Sequence, residues 1–189
     1  MHARLIKFLL TLLIALPITP ACADDYSDTI KVFRNAGQSG RFFGSSYGYA
    51  VFPTIGKGGV VVGGAHGSGR VYAKGAYVGD TSMTQVTVGL QLGGQAYSEI
   101  IFFEDQRSFD EFTSGNFEFG AQATAVAITA GASAQASTGG TGAGASGTKD
   151  HAKTAGGYQK GMAVFTVAKG GLMYEASVGG QKFTYKPKK

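Results

Sequence analysis

The chain has 189 residues and a formal charge of +5, and only 15% of it is Asp, Glu, Lys or Arg, while glycine alone fills 31 positions. With no tryptophan and one cysteine, it excludes a disulfide scaffold and a multi-cysteine metal site, and the mild charge argues against a nucleic-acid partner. Such a chain can bury one modest core, so a single domain without a cofactor is expected.

In chain order, the first element reads as an export leader. Arg4 and Lys7 precede an apolar run from Phe8 to Leu16, Pro17 and Pro20 follow, and Ala21-Cys22-Ala23 fits the small-x-small rule for cleavage before Asp24. The run is shorter than the ~20 residues a spanning helix needs. Thr19-Pro20-Ala21-Cys22 also resembles a weak lipobox, in which Cys22 is acylated; plain cleavage after Ala23 is the better fit, because Thr19 and Pro20 suit a lipobox poorly. Residues 1–23 are thus read as a signal peptide, and the mature chain as an exported protein of the periplasm or outer-membrane periphery. Losing Arg4 and Lys7 takes the charge from +5 to +3.

Residues 24–46 form a helical segment. Tyr26, Ile30 and Phe33 fall at helical spacing between Asp25 and Asn35, with Asp24, Asp25 or Ser27 as caps and Gly37 as a stop. Arg41-Phe42-Phe43-Gly44 is aromatic but broken by glycine, and suits either packing on the domain or touching a membrane. From residue 47 to 189 the pattern is β. Tyr49–Pro53, Val60–Val62 and Arg70–Lys74 are short strands between glycine clusters, and Val86, Val88, Leu90 and Leu92 alternate strictly with smaller or polar residues. Ala96–Phe103 is an apolar strand. Ser108-Phe109-Asp110-Glu111 reads as a capping box opening a short helix that Gly115 ends. Phe117–Phe119, Ala121–Thr129, Gly161–Val167, Leu172–Val178 and Phe183–Tyr185 supply further strands. Gly131–Thr148, nearly all Gly, Ala, Ser and Thr, has no apolar payload to offset ordering entropy and reads as a long flexible loop.

Glycines inside strands weaken an open sheet but suit sharp bends and close backbone approach. The expected fold is therefore mainly β with short helices, an α+β arrangement built on a strongly curved antiparallel sheet or small closed barrel.

The inventory of catalytic groups is thin. His66 reads as a turn residue and His151 lies beside the flexible loop, so no metal-ligand spacing arises. Gly44-Ser45-Ser46-Tyr47-Gly48 spells a nucleophile elbow, but a strand follows where that motif needs a helix. Gly142–Gly147 spells a dinucleotide fingerprint without its βαβ context. Glu99, Glu104, Asp105, Asp110, Glu111 and Glu118 show no marked pair and read as a solvated face. No catalytic function is expected.

Contact remains. Val51-Phe52 followed by Lys57-Gly58-Gly59 is echoed by Val164-Phe165 followed by Lys169-Gly170-Gly171, and each repeat suggests a turn with a lysine at its tip. Arg70 and Lys74 share a strand. Each such cation gains on the order of 1 kcal/mol at an anionic leaflet. Lys57, Lys169, Arg70 and Lys74 are accordingly the expected lipid-binding residues.

Four stretches carry a family resemblance: the run from Val51 to Gly64 with its Phe-Pro-x-x-Gly-Lys-Gly-Gly block, Val88–Gln95, Phe117-Glu118-Phe119-Gly120, and Lys169–Met173. They resemble the SYLF domain in its secreted bacterial form, from about Tyr47 to Tyr185. The resemblance implies lipid binding, since eukaryotic SYLF domains bind phosphoinositides through a basic surface and an amphipathic N-terminal helix. Some also bind and bundle actin. Neither the actin partner nor the phosphoinositide preference is expected of an exported bacterial protein. Within the resemblance, Lys57 and Lys169 carry over as turn lysines, whereas Arg70 and Lys74 rest on strand position. The partner expected is an anionic lipid or membrane surface; the alternative is a small outer-membrane β-barrel or structural envelope protein, whose strands should run ~9–11 residues with an apolar outward band.

Overall fold

The computed structural model describes residues 25–59, 62–88, 94–121, 123, 125–128, 157–169 and 178–189. The leader with Cys22, His151, the Gly131–Thr148 loop, the Gly142–Gly147 match and nearly all of the strand expected at Leu172–Val178 lie outside the described residues.

Helix α1 spans Asp25–Asn35, the bounds that its apolar spacing predicts, and buries Phe33. A single turn, α2 (Gly37–Gly40), and a 3-10 turn (Arg41–Gly44) lead into the sheet. The strands are β1 (Gly48–Gly59), β2 (Val62–Ala73), β3 (Ala76–Val88), β4 (Gln95–Phe103), β5 (Phe117–Glu118), β6 (Val126–Ile128), β7 (Met162–Lys169) and β8 (Gln181–Pro187), with helix α3 (Gln106–Phe112) between β4 and β5. They form one sheet of order β5-β8-β3-β2-β1-β4-β7-β6, antiparallel except for the β6–β7 pair.

That sheet curls into a half-barrel. On a flat sheet, β8 and β4 are four strands apart, or ~19 Å. Here Gln181 of β8 donates a hydrogen bond to Glu99 of β4 at 3.1 Å. Both edge strands also come from one stretch of chain: β5 pairs with β8, β6 pairs with β7, and only residues 119–125 join them. Seven residues reach at most ~25 Å.

Two local features permit the curl. Pro53 has no N–H to give to the ladder, and the register of β1 slips there against both neighbours, between Val51 or Phe52 and Ile55. The slip sets Phe52 and Ile55, three residues apart, on the same inner face. Opposite them β2 has glycine. A Cβ on Gly69 would lie 2.6 Å from the Phe52 ring, and one on Gly67 would lie 2.6 Å from Ile55 Cγ1. The large side chains of β1 fill the volume that β2 leaves empty.

The two faces of the sheet carry separate cores. Inside, Phe52, Ile55, Met83, Tyr97, Ile101, Phe103, Val164 and Phe183 pack with Phe112 of α3. Outside, α1 and the 3-10 turn lay Phe33 and Phe42 over Val51, Ile100, Phe102 and Phe165. Phe42 stacks on Phe102 at 5.4 Å between ring centroids, and Phe43 meets the same ring edge-on at 4.9 Å, so the aromatic pair packs on the domain.

Sequence reasoning misplaces the cap of α3 by three residues. Asp105 is the N-cap: its Oδ1 accepts from the Ser108 N–H at 2.8 Å, and Ser108 Oγ accepts from the Asp105 N–H at 3.3 Å. The Ser108 backbone N–H, and next its side chain, hold the Asp105 carboxyl below the usual carboxylate range. An aspartate caps as well as a serine does. Glu111 instead approaches Arg107 at 3.6 Å, one turn earlier on the helix.

Among the described residues no helix is long and apolar enough to cross a membrane. For a barrel facing lipid, β2 and β3 would need an apolar outward band. Their outward positions include His66, Ser68, Arg70, Ser82 and Thr84, and α1 covers the outer face of β1, β4 and β7.

Candidate functional site

The four cations that sequence reasoning singles out fall into two pairs at opposite ends of the sheet. Lys57 lies inside the ladder, opposite Ala65 of β2 and Gln95 of β4. Lys169 is the last residue of β7, opposite Ala96, and its Nζ donates to Thr54 Oγ1 at 2.7 Å. Because Gln95 and Ala96 are consecutive, Lys57 and Lys169 point to opposite faces. Lys57 is therefore no turn lysine: the ladder continues through Gly58↔Gly64 and Gly59↔Gly63. His66, expected in a turn, is likewise mid-strand, opposite Gly56 and Thr84.

Lys74 is the lysine that does occupy a turn. It follows the last residue of β2, and with Gly75 it takes positive φ, 51° and 82°. Two consecutive positive φ angles make the two-residue hairpin turn whose twist suits the flanking strands. Lys74 and Lys57 are separated by the length of β1, ~30 Å.

Around this turn the protein gathers cations. Arg34, in the last turn of α1, lies over the Phe43 ring at 4.8 Å, and Lys74 Nζ lies over Tyr47 at 5.4 Å. Arg70 sits over Tyr26 at 4.2 Å, which ties β2 to α1, and Lys188 lies over Tyr77 at 5.2 Å. Arg34 and Lys74 line one pocket of ≈ 180 Å³ together with Phe43, Ser46, Tyr47 and Tyr49. Neither cation has a carboxylate partner among the described residues. Burial on this corner also raises the Tyr49 phenol above its ordinary value, so it stays neutral and adds no negative charge.

At the other end, the outer face of the β2–β3 hairpin exposes Val62 (64%) and Val86 (73%). Val62 lies opposite Val88, and Val86 lies opposite Gly64, so the two valines are diagonal neighbours on one face.

One polar group departs from the expectation of a solvated carboxylate face. Glu99 is fully buried. It lies on the inner face of β4 between Tyr97 and Ile101, opposite Phe52 of β1 and Thr166 of β7. Gln181 Nε2 donates to Glu99 Oε2 at 3.1 Å and to Tyr97 Oη at 3.3 Å. Desolvation pushes the Glu99 carboxyl up to about 8, against the opposing effect of that one bond. The Tyr97 phenol is raised as well, first by burial and then by the Glu99 charge. The sequence signal was its position: in the run Ala96–Phe103, Glu99 shares the period-2 face of Tyr97, Ile101 and Phe103. No group of three or more metal-ligating side chains occurs among the described residues.

A family model described as "Ysc84: Las17-binding protein actin regulator" matches residues 84–188, more than half of the chain. The chain belongs to this family, the SYLF domains. It is also similar to "Beta cell expansion factor A" of Aeromonas veronii, 26% identical over 158 residues that cover 82% of this chain and 51% of that protein. The chain thus spans about half the length of that relative. Within this SYLF protein the matched residues contain β4, β7 and β8, and with them Glu99, Gln181 and Lys169; Lys57, Arg70 and Lys74 precede the match.

Proposed function

We propose that this SYLF protein is a non-enzymatic, exported domain that rests reversibly on anionic lipid surfaces, with the corner between α1 and the β2–β3 turn as its headgroup contact. The observation that carries this reading is the pocket lined by Arg34 and Lys74, two cations held by aromatic faces and not neutralised by a carboxylate among the described residues. An anionic headgroup supplies the missing charge. Lys188 extends the positive field beside it, whereas Asp80 of β3, directly opposite Arg70, offsets the charge of that residue; Lys57 and Lys169 supply a second, weaker attraction at the far end of the sheet.

The test is sedimentation with vesicles of phosphatidylcholine and 30% phosphatidylserine, a composition chosen for its charge. Neutralising two surface cations removes about 2 kcal/mol, or roughly thirtyfold in partitioning. Arg34→Gln with Lys74→Gln is expected to weaken binding by that factor, and Lys57→Gln with Lys169→Gln by less. Binding of wild type should also fall with added salt. Unchanged sedimentation of the Arg34/Lys74 variant would remove this corner from the mechanism.

Export rests on the sequence of residues 1–23. Mass spectrometry of the protein recovered from a producing bacterium should find Asp24 at the N-terminus. A diacylated Cys22 start would replace reversible contact by a covalent anchor, and a retained Met1 would end the export reading.

A further inference from the structure

The interior of the half-barrel holds a set of polar atoms whose partners do not balance. Gln181 Nε2 donates to Glu99 Oε2, yet Glu99 Oε1 and Gln181 Oε1 are both buried and without a partner. With an ionised carboxylate, both orphan atoms are acceptors, and each would forfeit its hydration for nothing in return. A proton on Glu99 Oε1 converts one orphan into a donor. Gln181 Oε1, on the same carboxamide that engages Oε2, is the acceptor that would make the pair reciprocal; Gln85 Oε1, on the residue opposite Gln181 in β3, is a further buried acceptor without a partner.

We infer that Glu99 is a neutral carboxylic acid in the folded protein, and that its proton completes a reciprocal carboxyl–carboxamide pair with Gln181 that latches β4 to β8 across the interior. Two strands that share no ladder are thereby joined at the point where the sheet must stay curled. The groups facing Glu99 are consistent with this protonation state. Tyr97 on β4, Phe52 and Ile55 on β1, Thr166 and Val164 on β7, Gln85 and Met83 on β3, and Gln181 and Phe183 on β8 carry no charge at neutral pH. On this face of β1, Lys57 lies opposite Gln95 and so four residues, ~13 Å, along β4 from Glu99.

The latch makes folding take up a proton. The free carboxyl titrates near 4.3 in an unfolded chain and the buried one near 8, so between these values the folded state holds one proton more. Folded pKa is raised, so the contribution is complete below the unfolded value, declines as pH rises, and is gone above the folded value. Each pH unit in that window changes the unfolding equilibrium constant about tenfold. The domain is thus held more tightly in acidic surroundings than at neutral pH.

The test is a carbon-13 NMR titration of the glutamate side-chain carboxyl carbons in the full-length protein, which needs no variant to fold. One carboxyl should remain protonated at pH 7 and titrate around pH 8, and its resonance should be missing from Glu99→Gln. In urea unfolding, the ratio of wild-type to Glu99→Gln unfolding constants should rise about tenfold per unit between pH 5 and pH 8 and level off above. If every glutamate carboxyl titrates below pH 6, Glu99 is ionised in the folded protein and the latch does not exist. A pH-independent ratio of unfolding constants overturns it equally.

Discussion

Phe183→Ala is expected to lower the unfolding free energy by about 3–5 kcal/mol, the range for truncating a buried phenylalanine. Phe183 is 1% exposed and sits where the curl brings separate elements together. Its ring lies 5.0 Å from Phe112 of α3, 5.7 Å from Phe52 of β1, 5.5 Å from Phe119 and 6.0 Å from Phe117 of β5, centroid to centroid. The neighbours belong to backbone elements anchored in different parts of the sheet, so they cannot collapse together into the space left behind. Urea denaturation followed by tyrosine fluorescence would measure the loss. A change below about 1 kcal/mol would mean that the interior is not closed around this ring.

Gly48→Val is expected to cost about 3 kcal/mol, near the top of the usual range for overpacking. Gly48 opens β1 and is paired on both sides, with Ala73 of β2 and Phe103 of β4. A Cβ there would sit 2.3 Å from the Tyr72 carbonyl oxygen and 3.2 Å from Ala73 Cα. Both are backbone atoms of a paired strand, which no rotamer change can move aside. Gly56→Ala is the control: it lies on the same strand, with nothing within 4 Å of its added Cβ, and should leave the urea midpoint nearly unchanged. Equal midpoints for Gly48→Val and wild type would show that β1 and β2 are not paired in this register.

The strands and helices that bury a periodic apolar set are legible in the chain. Tyr26, Ile30 and Phe33 locate α1, because one apolar stripe at helical spacing needs a helix to face the core. Ala96–Phe103 is a strand as its composition requires, although it starts one residue earlier, at Gln95. Turn chemistry misleads at Lys57-Gly58-Gly59. Gly59 does take a positive φ, 150°, as turn chemistry asks, but it and Gly58 stay paired with Gly63 and Gly64, so Lys57 lies inside the ladder. The reverse error occurs at Lys74, a residue with a side chain that takes positive φ because Gly75 and the twist of the hairpin favour it there.

Local sequence by itself determined the class of fold, the position of α1, the alternation of the strands and the family, since each depends on short-range periodicity or on a contiguous motif. Only the tertiary structure decided which charges act together. Lys57, Lys169, Arg70 and Lys74 look equivalent along the chain, yet the length of β1 separates them into two ends, and α1 adds Arg34 to one of these from an element the strand pattern cannot see. The same holds for Glu99 and Gln181, 82 residues apart in sequence and hydrogen-bonded in space. Their meeting depends on how far the sheet curls, and that follows from the slip at Pro53 and the glycines of β2 acting jointly, not from either strand alone.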